Sequence, residues 1–276
     1  MRFAPTKIIA VAALLALSAC SHGGSDDPFR WTEELPAGSV VHILDGAGDI
    51  QVRRANGQIA TVSGSRQWRR SRARDVKFVV NHTGNEYYVC AMWRASGKCG
   101  DGKYKGRQTN TFLSMFSLFH RSNDATADFV AEIPANVVVD ALTSIGTVEV
   151  DGMAAGVTAR STSGAIQAVN VSGPISLSTT NGDVHLVTDS LSGTGAIDLS
   201  TRRGRITAEL PQNVEGNFDL SVMSGIVRTD LGLAQAPRSR TGRHFQGQIG
   251  ASTRPVKLRA GNGSVTLTTR SAPSTH

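Results

Sequence analysis

The chain has 276 residues, of which 5% are aromatic and 18% charged, with 29 glycines and three cysteines. Many glycines beside frequent Val, Ile, Thr and Ser suit short strands and turns rather than helices. The formal charge of +7 favours anionic partners such as lipid headgroups or acidic polysaccharide. No nucleophile motif, phosphate loop or zinc-ligand spacing carries chemistry, and no cofactor or metal is expected.

Residues 1–19 read as an export signal. Arg2 and Lys7 precede the apolar run "IIAVAALLALSAC", which is too short for a permanent bilayer span. The tetrapeptide Leu17-Ser18-Ala19-Cys20 resembles the lipobox of bacterial lipoproteins. That resemblance implies cleavage before Cys20, lipidation of its thiol and acylation, including palmitate, of the new amino group. An ordinary secretory signal with a chance cysteine is the alternative. Ser21, in place of Asp, resembles the signal for export to the outer membrane. The resemblance places the chain in the periplasm, or at the cell surface, where nucleic acid is not an expected partner. Loss of Arg2 and Lys7 lowers the charge from +7 to +5. Residues 20–37 are a polar, Gly-rich tether.

A strand-repeat domain is expected over 38–270. Its first part, 38–98, holds less regular strands that continue the stack or lead into it. "SRQWRRSRARDVK" supplies Arg66, Arg69, Arg70, Arg72 and Arg74 with Trp68 and Lys77. These form either a patch for anionic glycan or lipid headgroups, or a charged edge strand that blocks end-to-end pairing. Cys90 and Cys99 are expected to pair in an oxidising compartment. Residues 99–125 break the pattern. Phe112, Met115, Phe116 and Phe119 there fall at helical spacing, which suits a membrane-interface segment or a cap on the stack.

One frame repeats along the chain, once near the start and then from residue 128 on. Around each of seven glycines, residues seven and five positions before and two and four after are apolar, Thr229 in the Gly225 copy excepted. For Gly164 these are Val157, Ala159, Ile166 and Ala168. For Gly182 they are Ile175, Leu177, Val184 and Leu186. Gly48, Gly146, Gly204, Gly225 and Gly263 carry the same frame. Alternation puts each apolar pair on one face of a strand, and the glycine sits in the turn between. From Gly146 to Gly225 the intervals are 18, 18, 22 and 21 residues, the length of one solenoid coil. A parallel β-solenoid with a stacked apolar core is therefore expected; alternation alone also suits a β-sandwich. Thr143, Ser161, Thr179 and Thr201, three before the glycine, form a hydroxyl ladder up such a stack. Residues 230–253 are expected as a basic loop, followed by the last coil and a tail at 271–276.

"FVAEIPANVVVDALTSIGTVEVDG", the repeated Ser-Gly and Asn-Gly units and "FQGQIGASTRPVKLRAGNGSVTL" together resemble the bacterial putative-adhesin domain, a β-strand-repeat family of unknown function. The resemblance implies an exported β-solenoid with no assigned catalytic residues. Parallel β-helices also include polysaccharide lyases and hydrolases. In the outward column six before each glycine, Asp198 and Asp219 would then be neighbours in adjacent coils. They are the weak catalytic candidates of an alternative, polysaccharide-acting reading. The main expectation is a lipid-anchored, non-catalytic binding or structural module of the outer membrane, facing the periplasm, whose partners are anionic glycan, lipid headgroups or envelope proteins. Envelope maintenance or stress sensing is a third possibility.

Overall fold

Residues with a period-two pattern can bury one face only by stacking on a second strand set, and this chain stacks them into coils. The computed structural model describes residues 28–68, 76–93, 97–100, 104–105, 124–235 and 242–270. Eighteen strands among them join one mixed sheet, and no helix occurs among the described residues. In chain order they are β1 (Phe29–Glu34), β2 (Val40–Leu44), β3 (Ile50–Arg54), β4 (Ile59–Gln67), β5 (Lys77–Thr83) and β6 (Glu86–Met92). Then come β7 (Thr126–Ile133), β8 (Val138–Ile145), β9 (Val148–Asp151), β10 (Val157–Ser163), β11 (Ile166–Val169), β12 (Ile175–Asn181) and β13 (Val184–Val187). The last are β14 (Ile197–Pro211), β15 (Gly216–Thr229), β16 (Ala234–Gln235), β17 (Arg243–Ile249) and β18 (Pro255–Arg270).

Parallel pairing between coils puts equivalent residues over one another. Ile166 lies over Val184, Val184 over Ile206, and Ile206 over Val265. Of the apolar positions in the seven frames, all are buried except Thr229, which is half-buried. Each fully buried Leu or Ile in these columns contributes about 1.5–3 kcal/mol. The strands flanking a glycine do not pair with each other as a hairpin would; each pairs with the coils above and below.

The order of coils along the stack differs from their order in the chain. It runs β6/β7, β2/β3, β8/β9, β10/β11, β12/β13, β14, β18, β15. The coil written last in the sequence is thus inserted between the two written before it. Charge favours that order: Lys257 of β18 stands between Asp198 and Asp219, where direct succession would oppose two like charges.

The solenoid is not purely parallel. β5 runs antiparallel to β6, β4 to β7 and β1 to β4 at one end, and β17 runs antiparallel to β15 at the other. Residues 243–249, expected within a loop, are strand β17, and the two-residue β16 pairs on its outer edge. Such strands cover the open rungs that a stack otherwise exposes. Aromatic rings concentrate at the first end, where Phe78 stacks on Phe29 at 4.9 Å and meets Phe129 edge-on at 5.3 Å. At the second end Leu233, Phe245 and Ile249 pack partly buried against the core.

The frame glycine is set by the coil beneath it. A Cβ on Gly182 would stand 2.1 Å from the carbonyl oxygen of Gly164, and one on Gly164 1.8 Å from that of Gly146. The seven glycines have φ between +145° and +159°, which L side chains rarely adopt. In the first coil of the stack the equivalent residue is Ala127, whose own carbonyl lies under Gly48. The hydroxyl ladder serves the same corner. Thr143, Ser161, Thr179 and Thr201 donate to the carbonyls of Gly48, Gly146, Gly164 and Gly182 at 3.0, 3.0, 2.9 and 2.9 Å. Each bond contributes about 1 kcal/mol.

Candidate functional site

The pairing of Asp198 with Asp219 does not form. Lys257 occupies the rung between them, so the two carboxylates lie about two strand spacings apart, ~9.6 Å. Asp198 is 3.7 Å from Arg259 Nη1, and Asp219 Oδ1 is 3.0 Å from His244 Nε2. Two carboxylates that far apart share no proton. No group of His, Cys, Asp and Glu that could hold a metal occurs among the described residues.

The rows that lie beside these aspartates are more informative. Strand register aligns Arg160, Ser178, Ser200, Arg259, Ser221 and His244 on six successive strands of one outward face. A groove of about 720 Å³ follows the row from Ser178 to His244. Thr180 and Arg202 line its corner side, while Gly242 and Arg243 line the end closed by β17. Three arginines, Arg202, Arg243 and Arg259, face one lining carboxylate, Asp219. Arg202 and Arg243 are exposed and make no ion pair among the described residues. The groove therefore presents hydroxyl and guanidinium groups with a positive excess, which suits an anion rich in hydrogen-bonding groups.

This site was missed in the sequence although a signal for it exists. Around Gly204 the corner reads "TRRGR", where the neighbouring copies have "STSGA" and "TTNGD". Three arginines replace small polar residues at one copy of an otherwise uniform frame. A search restricted to strand columns passes over them because they sit at the corner. The register of Arg259 with Ser200, and the return of β17, were not readable at all.

Towards the other end the same face closes on itself. His42 Nδ1 lies 2.8 Å from Asp140 Oδ2, and Arg160 donates to both Asp140 oxygens at 2.8 and 3.0 Å. The His42 ring stacks on Tyr88 at 4.4 Å, and the Tyr88 hydroxyl donates to Glu86. Asp140 is thus held between His42 and Arg160. Close by, Cys90 and Cys99 are joined in a disulfide, and Leu44, Tyr88, Cys90 and Met92 form a second, smaller apolar cluster. On the opposite face a hollow of about 400 Å³ is lined by Arg53, Glu149 and Asp151 with Gln51, Gln167 and Asn170. Its charges are of both signs.

Of the expected basic patch, Arg66 is described: its guanidinium lies 4.8 Å from the Phe78 ring centroid. Arg69, Arg70, Arg72 and Arg74 lie outside the described residues. So do Cys20 and the segment with Phe112, Met115, Phe116 and Phe119. A separate buried cation, Arg254, is only 5% exposed and donates to the carbonyls of Ser192 and Gly193. Burial lowers its pKa from the ordinary arginine value.

No curated protein matches the chain. Among solved structures, one named "putative cell adhesion protein" from Clostridium sporogenes is 12% identical, covering 88% of this chain and 100% of its own, with a TM-score of 0.46. A "putative adhesin" from Bacteroides fragilis is 11% identical over 88% of this chain and 97% of its own, with a TM-score of 0.37. The Toastrack DUF4097 family model matches residues 135–268, which run from the turn before β8 into β18 and include every residue of the groove row. The stacked coils that build the groove are thus similar to the Toastrack DUF4097 family, a family of unknown function.

Proposed function

We propose that this chain is a non-catalytic binding module of the bacterial cell envelope. It is tethered through lipid on Cys20, faces the periplasm from the outer membrane, and takes an anionic ligand in the groove between Ser178 and His244. The observation that carries this reading is the positive excess there: Arg202 and Arg243 are exposed without carboxylate partners among the described residues, beside a row of serine hydroxyls. Such groups hold an anion by charge-assisted hydrogen bonds. The insertion of Lys257 between Asp198 and Asp219 supports binding over hydrolysis.

Binding of the purified chain to acidic glycans, neutral glycans and anionic lipid vesicles tests this. Retention of acidic ligands is expected, with weakening as salt rises, and with loss in a double Arg202→Gln, Arg243→Gln variant. Equal retention of neutral glycans, or unchanged binding by the double variant, would remove the groove as the site. The anchor is tested separately: Cys20→Ala should move the chain from the membrane fraction to the soluble fraction.

A further inference from the structure

Resting on that reading of the groove, we infer that its ligand is an extended acidic polysaccharide lying along the stack axis, and not a point anion. The groove is lined from six successive strands, from Ser161 of β10 to His244 of β17. At ~4.8 Å per rung it runs about 20–25 Å, several times the width of a phosphate or carboxylate. Along that length the donors recur once per rung. Ser178, Ser200, Arg259, Ser221 and His244 are each directly opposite the next. A regular row of single donors matches a polymer with a regular repeat.

The chemistry of the lining selects the polymer. Serine and threonine hydroxyls both donate and accept, as sugar hydroxyls do, while Arg202, Arg243 and Arg259 call for acidic groups along the chain. An extended peptide is poorly served. The floor strands β12, β14, β18 and β15 each already pair on both sides, so no backbone edge is open to strand addition along the groove. Among the described residues no Phe, Tyr or Trp lines it, so they offer no stacking platform for a neutral sugar chain or a nucleobase.

The test is titration of the full chain with galacturonate oligomers from dimer to octamer. Fully methyl-esterified hexamer, hexaglutamate and inorganic phosphate serve as comparisons. Affinity should rise about twofold to fivefold for each unit added until the groove is filled, then level off. Ser178→Ala, at the end remote from Arg243, should weaken the hexamer more than the dimer. Affinity that is independent of length, or phosphate binding as tightly as the hexamer, overturns the extended ligand while keeping the anion groove. Hexaglutamate binding as tightly as the galacturonate hexamer overturns the polysaccharide. Failure of every anion, phosphate included, overturns the anion groove itself. Thermal melts of the variant matching the parent chain exclude misfolding as the cause.

Discussion

Substituting alanine for Gly182 measures how strictly the coils are spaced. The new methyl would stand 2.1 Å from the Gly164 carbonyl oxygen and 3.1 Å from the Ala165 nitrogen, at a φ of +159°. Both neighbours are backbone in the adjacent rung, so no side chain can swing away. Holding a non-glycine residue at such a φ costs about 1–3 kcal/mol, and forcing a methyl into a packed site costs about 1–3 kcal/mol more. A total of about 2–6 kcal/mol lowers the melting temperature by about 4–24 °C for a domain of this size. Gly57 provides the control. Its φ is +128°, but a Cβ there meets nothing within 4 Å, so Gly57→Ala bears the backbone cost alone. Thermal unfolding of both variants by circular dichroism gives the steric part by difference. If the two melt together, the glycine column is not imposed by the carbonyl beneath it, and the account of the repeat fails.

Thr179→Val keeps the side-chain shape and leaves the Gly164 carbonyl without its 2.9 Å donor; urea unfolding should show a loss of about 1–3 kcal/mol. Reducing the Cys90–Cys99 bond, which spans nine positions, should lower stability by about 2–3 kcal/mol through the freed loop, read as a lower melting temperature in reductant. Lys257→Glu would set three carboxylates on consecutive rungs. A loss of about 1–2 kcal/mol at low salt is expected, mostly recovered at ~1 M salt, and a variant indifferent to salt would place β18 elsewhere in the stack.

Much of the architecture was legible in the residues. Apolar alternation around Gly164, Gly182 and Gly204 is local, and a period of two leaves only one face to bury, so columns follow wherever such strands stack. The hydroxyls of Ser161, Thr179 and Thr201 could be read as a ladder for the same reason. The order of rungs could not be read. A frame repeated in each copy says which residues share a column, and the apolar core of every copy fits every neighbour equally well. Only the return of the chain through β17 brought β18 between β14 and β15, where Lys257 separates two aspartates. That long-range choice dissolved the acidic pair, set Arg259 among the serines and raised the wall at His244. Column membership is encoded within each coil, whereas the groove is made by contacts between coils distant in the chain, which no single coil specifies.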